Sequence, residues 1–337
     1  MKVLITGGAG FIGSHTCVEF LQAGHEVVIY DNFENSNRIV VERIKIITGK
    51  PLVCVEGDIR DQSHLESLMR EHKCDAVVHF AGLKAVGESA NNPLDYYENN
   101  VQGSISLLKA MQSCGVNKFI FSSSATVYGT PEFLPYTEDH PLRAMNPYGR
   151  TKLMVENILR DLHTSNSSWS IAILRYFNPV GAHHSGLIGE DPLGVPNNLM
   201  PFITQVATGC REKLSVFGGD YDTRDGTGVR DYIHVVDLAK GHLAAFDFLQ
   251  ASGCTEINLG TGQGQSVLEV VSAFEQASNQ TVPYEVVPRR AGDLPEFYAA
   301  TDYAEKTLGW RATKDLREMC NDTWNWVQKN PHGYGSG

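Results

Sequence analysis

The chain has 337 residues, of which 42% are hydrophobic and 20% charged, and its formal net charge is −11. That length accommodates a large core and two domains, while the acidic balance and the lack of any Lys/Arg-rich run exclude a nucleic-acid surface. A strand-like pattern already begins at Lys2 and no apolar run reaches 18 residues, so neither a signal peptide nor a membrane span is expected. Seven cysteines without a Cys-x-x-Cys pair suit the reduced thiols of a cytoplasmic protein.

The first predicted strand, near 2–6, runs directly into Gly7-Gly8-Ala9-Gly10-Phe11-Ile12-Gly13. Glycines 7, 10 and 13 supply a tight turn, close approach of backbone to a pyrophosphate, and close packing of helix on strand. The following helix, about 11–23, points free N–H groups and its dipole at the phosphates. A second strand, 26–31, ends at Asp31, 18 residues past Gly13, where an acid binds the adenosine ribose diol. The same carboxylate selects NAD over NADP: a phosphate ~4 Å away would be repelled by about 4 kcal/mol at an effective dielectric of ~20. After a third strand, 52–56, Asp58-Ile59 suits either the adenine or a solvated loop.

Further strands near 75–80, 118–123 and 170–175 alternate with helices near 36–47, 61–72, 93–114 and 147–165. This alternation predicts an α/β fold, a Rossmann-type doubly wound parallel sheet with its ligand crevice at the carboxyl ends of the strands. Ala81-Gly82, after the fourth strand, would allow a dinucleotide to approach closely, and Asn99-Asn100 on the next helix would brace that loop.

Asn146-Pro147 reads as a cap and first-turn proline, placing Tyr148 in the opening turn of a helix and Lys152 one turn later on the same face. A free phenol titrates near ~10. A fixed cation, the helix dipole and a cationic cofactor ring are expected to bring it down towards neutrality, where it serves as an acid–base catalyst. Tyr-x-x-x-Lys alone is a common surface spacing. Ser122-Ser123-Ser124, at the end of the fifth strand, adds a hydroxyl opposite the tyrosine.

Beyond Phe177 the texture becomes rich in Gly, Pro and Asn, and alternation stops. We read residues 1–177 as the NAD-binding domain and 178–337 as a smaller, loop-rich α/β substrate-binding domain, with segments near 230–262 as candidates to pack back on the first. The helix 235–249 and the strand 256–259 fall in that region. His183-His184 with Glu190-Asp191 fit no common metal spacing and read as polar loop residues, so no metal is expected.

Five stretches, His79 to Ser89, Ser122 to Gly129, Arg175 to Ala182, Pro196 to Pro201 and Gly226 to His234, closely resemble the UDP-galactose 4-epimerases of the extended short-chain dehydrogenase/reductase family. The likeness runs through the whole chain. It implies a homodimer that keeps NAD bound and interconverts UDP-galactose and UDP-glucose through a 4-keto sugar, which rotates and is reduced from its other face. By this resemblance Tyr148 is the base, Ser124 shares the sugar 4-hydroxyl, and Lys152 holds the nicotinamide ribose. The cofactor set adds Gly7, Gly10, Phe11, Ile12, Gly13, Asp31, Asn32, Asp58, Ile59, Phe80, Ala81, Gly82, Lys84, Asn99 and Phe177. Lys84 is also expected at the substrate, while Asn178, Asn198, Leu199, Phe217, Arg230, Arg290 and Asp293 form the UDP pocket, the arginines facing the diphosphate. Phe297 borders the sugar, and its bulk favours simple hexoses over N-acetylated ones. Related dehydratases carry an Asp-Glu pair after the serine/threonine position; here Ala125-Thr126 stands there. A cofactor-sensing regulator on the same fold has no need for Ser124, Tyr148 and Lys152 together.

Overall fold

The computed structural model describes residues 1–194, 196–249, 253–290 and 292–335. Its first half contains β1 (Lys2–Thr6), α1 (Phe11–Gln22), β2 (Glu26–Asp31), α2 (Ile39–Thr48), β3 (Val53–Glu56), α3 (Gln62–His72) and β4 (Ala76–His79). There follow α4 (Val86–Asn91), α5 (Pro93–Tyr96), a π-helical segment (Tyr97–Gln102), α6 (Gly103–Cys114), β5 (Lys118–Ser124), α7 (Pro147–Ser165) and β6 (Ser170–Tyr176). The predicted strands are all present within about two residues.

The predicted single helix over 93–114 is instead three segments, preceded by the unforeseen α4. Asn92 leaves the helical region (φ −124°, ψ 59°) and Pro93 restarts the chain as α5. The π-helical stretch then places two adjacent asparagines, Asn99 and Asn100, against the loop after β4. Extra-residue turns of this kind concentrate at functional sites.

The second half adds β7 (Asn178–Val180), α8 (Leu199–Ala207), β8 (Leu214–Phe217), β9 (Val229–His234), α9 (Val235–Phe248), β10 (Gly253–Leu259) and β11 (Gly264–Ser266). It ends with α10 (Val267–Ser278), β12 (Tyr284–Val287), β13 (Glu296–Phe297), α11 (Asp302–Leu308) and α12 (Leu316–Lys329). The main sheet is parallel throughout, in the order β10-β6-β5-β4-β1-β2-β3. The segment read as a candidate to pack back does so: β10 pairs with β6, and α9 packs on α1.

Strand residues alternate between two apolar layers. Val3, Ile5, Val27, Ile29, Val78 and Leu174 face α1, α2 and α9. Leu4, Val28, Val77, Phe119, Phe121 and Ile173 face α3, α6 and α7. A third core gathers α8, α10, α12, β8 and β9 around Ile203, Phe274 and Met319. Small sheets tie this half together, β9 pairing with β7, β11 and β13, and β8 with β12. Buried Asp231 on β9 accepts hydrogen bonds from the Thr261, Gly262 and Ala299 amides at 2.8, 2.9 and 3.2 Å, so the turn after β10 and the segment after β13 are both fixed to β9.

The glycine turn after β1 is as tight as its spacing predicts. Gly7 has φ +68°, and a Cβ on Gly13 would lie 2.2 Å from the Gly7 carbonyl oxygen. We expect Gly13→Ala to destabilise the fold by ~1–3 kcal/mol, a melting temperature lower by several degrees. A Cβ on exposed Gly87 in α4 would meet nothing within 4 Å, so Gly87→Ala should leave the transition in place or raise it slightly. Thermal unfolding of both variants checks the contrast; equal shifts remove the packing explanation.

Candidate active site

The site lies where β1, β2, β4, β5 and β6 end. No side chain caps the N-terminus of α1, so its first amides remain directed at the glycine turn. Across that turn stands the β4 loop, with the Ala81 amide only 2.7 Å from where a Gly7 Cβ would be. Asp31, buried at the end of β2, accepts from the Ala9 and Phe33 amides at 2.9 and 3.0 Å and from Ser36 Oγ at 2.8 Å. A glycine cradle, an uncapped helix start and a fixed carboxylate at the next strand end suit a dinucleotide with a free ribose diol. Phe11 and Ile12 open α1, Asn32 follows β2 and Phe80 follows β4.

Asn100 holds the β4 loop by its amide, accepting from the Leu83 N–H at 2.8 Å and donating to the Leu83 carbonyl at 2.9 Å. Asn99 donates to Asn100 at 3.0 Å, and Asn100 reaches Thr151 on α7 at 3.1 Å. A Cβ on Gly82 would lie 3.8 Å from the Lys152 ammonium. The loop, the π-helical segment and α7 therefore form one braced corner. The Asp58 carboxylate is gripped by Arg60 Nε and Nη2 at 2.9 and 2.7 Å, which holds its pKa below the usual range. Ile59 is buried against α6, filling the space beside Gly103.

Asn146 caps α7 by accepting from the Gly149 amide at 2.8 Å, with Pro147 in the first turn. This sets Tyr148 beside Ser124, to which it hydrogen-bonds. Lys152, buried one turn on, donates to the Ser122 carbonyl at 2.7 Å, and its ammonium is 5.9 Å from the Tyr148 ring centre. Tyr148 as a whole is half-buried, and burial of its hydroxyl end pushes its pKa up, only partly opposed by the Ser124 hydrogen bond. The same burial draws Lys152 down to about 8, with Glu156 resisting.

A cleft lined by Asn178, Asn198, Leu199, Phe217, Arg230, Arg290 and Asp293 opens beside the strand ends. All seven residues expected there are brought together. Arg290 donates to Asp293 at 2.9 Å and lies over the Phe217 ring at 4.7 Å. Arg230 sits 3.8 Å from the same carboxylate and donates to the Leu294 carbonyl. Arg289 turns away, to Asp220 and the Tyr221 ring. Tyr221, Phe202, Tyr232 and Asn197 also line the cleft; sequence reasoning misses them because scattered aromatic and amide residues carry no spacing signal.

By sequence Glu190 reads as a loop acid. Its side chain accepts from Asn198 at 2.9 Å and lies 3.8 Å from Lys84, joining the β4 loop to the cleft. Phe297 packs on Phe177 and Tyr136, with ring centres 5.3 and 4.8 Å away. His183 bonds Ser185 rather than a metal partner, and no group of three His, Cys, Asp or Glu able to hold a metal exists among the described residues.

Comparison with known proteins agrees with this arrangement. The GDP-mannose 4,6 dehydratase family profile matches residues 4–323. The UDP-glucose 4-epimerase of Bacillus subtilis is 57% identical over 337 residues, covering 100% of this chain and 99% of that protein. Among solved structures, the UDP-glucose 4-epimerase of Bifidobacterium longum in complex with NAD+ and UDP superposes with a TM-score of 0.96 at 53% identity, covering 99% of this chain and 100% of that one. The Stenotrophomonas maltophila enzyme, with NAD and formylated UDP-arabinopyranose, gives 0.97 at 55% identity over 98% of this chain and 99% of that one. A chain with this fold, this glycine turn and full-length identity of this order belongs to the GDP-mannose 4,6 dehydratase family and, within it, to the UDP-glucose 4-epimerases.

Proposed function

We propose that the protein is an NAD-dependent isomerase that interconverts UDP-galactose and UDP-glucose, acting in galactose metabolism. The observation that carries this reading is the joining of a Ser124–Tyr148–Lys152 group to a cleft with two arginines, on one rim of a dinucleotide fold. When bound, NAD supplies reversible hydride acceptance at the sugar C4 and a positive ring charge that opposes the upward push on the Tyr148 phenol. Gly7, Gly10 and Gly13 would let its pyrophosphate approach, Asp31 would take the ribose diol, and Ala81, Gly82, Lys84, Asn99 and Phe177 would line its path.

Tyr148 takes the 4-hydroxyl proton in oxidation and returns it in reduction. Ser124 shares that hydroxyl, orienting it for both directions. The resulting 4-ketose must present its second face to the same cofactor, so it turns about the diphosphate linkage. Firm hold on UDP by Arg230, Arg290, Asn178 and Asn198, with few ties to the sugar, permits that turn. Oxidation and reduction cancel, and nothing is consumed. Dehydration, the reaction in the family profile's name, is disfavoured because Ala125-Thr126 occupies the turn after Ser124 and neither side chain is an acid or base.

Incubation with UDP-galactose and no added NAD tests the reading. We expect UDP-glucose; a 4-keto-6-deoxy product or no reaction sinks it. Tyr148→Phe should lower kcat by at least ~100-fold, since general acid–base catalysis contributes roughly 10²–10⁴, while UDP still binds by calorimetry. More than about a tenth of the activity remaining removes Tyr148 as the main base.

The reading extends to sugar choice. With Phe297 lodged between Phe177 and Tyr136, an acetamido group meets a packed wall, at a cost of ~1–3 kcal/mol or roughly 5- to 150-fold in kcat/KM. UDP-N-acetylglucosamine should therefore be a poor substrate. Similar kcat/KM for both sugar pairs refutes this, and an unchanged ratio in Phe297→Ser confines the ring to packing.

A homodimer in the cytoplasm completes the proposal. Val86 on α4, Leu94 on α5 and Met154 on α7 are 43%, 79% and 43% exposed, on three helices packed against one another. An apolar face of this kind suits a second copy. All seven cysteines are unpaired, as in a reducing compartment, and no described helix is long and apolar enough to cross a membrane. Light scattering at micromolar concentration should give twice the chain mass; a monomer removes the dimer.

A further inference from the structure

The last three residues of β5 each meet one residue of a single stripe on α7. Ser124 bonds Tyr148, the Ser122 carbonyl accepts from Lys152 at 2.7 Å, and Ser123 Oγ donates to Glu156 Oε1 at 2.6 Å. Residues 148, 152 and 156 are four apart, so they share one helix face. The first two belong to the chemistry already described. Glu156 does not, yet it is the most heavily bonded of the three. Fully buried, it also accepts from Arg175 Nε at 3.0 Å, Arg175 Nη2 at 2.7 Å and Arg160 Nη2 at 2.8 Å.

Arg175, 1% exposed, is the register partner of Ser123 on β6. Its Nη1 donates to the Tyr128 hydroxyl and the Glu138 carbonyl, both at 3.0 Å. Tyr128 donates to Asn258 Oδ1 at 2.6 Å, and Asn258 Nδ2 to the Tyr136 carbonyl at 2.9 Å. Tyr136 in turn packs against Phe297. A continuous polar chain therefore runs from α7 across the sheet end to the Tyr136 carbonyl, and the ring of the same tyrosine packs on Phe297. A buried ion pair of this kind is no strong source of stability, since apolar groups of the same volume often serve as well or better. What it does supply is a single allowed rotation and height for the helix that carries it.

We propose that Glu156, clamped by Arg175, is a positioning residue: it fixes α7 on β5 so that Tyr148 and Ser124 hold one reacting geometry in both half-reactions. The inference rests on the epimerase reading above. It also gives Glu156 a second, electrostatic influence. The groups facing Lys152 and Tyr148 are Glu156 on their own helix, His79 on β4, Tyr176 on β6 and Tyr96 on α5. Burial draws His79 down to about 3 and raises both tyrosines, leaving Glu156 as the carboxylate in the set and as the group that holds the Lys152 pKa up.

The test compares NAD-loaded wild type with Glu156→Gln and with the double variant Glu156→Gln/Arg175→Met. The double variant removes both charges together, so no unpaired charge remains in the core if the single variant fails to fold. In the folded variants we expect kcat for UDP-galactose to fall by about 10- to 100-fold with KM within about twofold of wild type. The alkaline limb of kcat should move to lower pH, because Lys152 without its neighbouring carboxylate loses its proton more readily. Glu156→Asp, which restores the charge, should return the limb towards its wild-type place. A double variant with wild-type kcat and an unmoved limb overturns the proposal. So does a kcat loss that only follows the folded fraction, with the limb unmoved. Wild type inert on UDP-galactose fails the epimerase reading instead, before any variant is compared.

Discussion

Burial of both faces of the seven-stranded sheet dictates where chemistry can sit. Strands β1, β2, β4, β5 and β6 carry apolar side chains on successive residues because each face meets a helical layer. Polar side chains on these strands therefore lie at their ends, those at the carboxyl ends being Thr6, Asp31, His79, the three serines of β5, Arg175 and Tyr176. All of these but Ser124 are buried, and buried polar groups must be paired. Thr6 and His79 bond each other at 2.7 Å, and His79 reaches Ser104 at 3.0 Å. The rim that satisfies these groups is the rim on which we place cofactor and sugar.

Features encoded by short-range pattern are legible. The glycine turn, the acid ending β2, and the cap, proline, tyrosine and lysine opening α7 each declare themselves within a few residues, and the structure assembles them on one rim. The region 93–114 reads as one helix because its apolar residues keep a helical period through a π-helical turn, which changes the spacing locally without changing the composition. The seven expected cleft residues came from family likeness; by spacing alone Arg289 and Arg290 are indistinguishable, and only the fold turns one to Asp220 and the other to Asp293.

Glu156 lies four residues before Arg160, which binds it at 2.8 Å. No local pattern reveals that β6 delivers a second arginine from beneath. Tyr148 teaches a related lesson about electrostatics. The lysine that the sequence places one turn away donates a hydrogen bond to a carbonyl of β5, and desolvation dominates the phenol. Proximity on a helix face does not fix the sign of a pKa shift; the depth of the hydroxyl does.

The cleft charges bear on how ligand arrives. Arg230 and Arg290 share the carboxylate of Asp293, so the local excess is about one positive charge on a molecule of net charge −11. A doubly negative nucleotide approaching from a distance meets a field of its own sign and feels the guanidinium groups only within roughly a Debye length, ~8 Å at physiological ionic strength. Added salt should then have opposite effects on the two halves of binding. It hastens encounter by screening the far repulsion, and it shortens residence by weakening the contacts made on arrival.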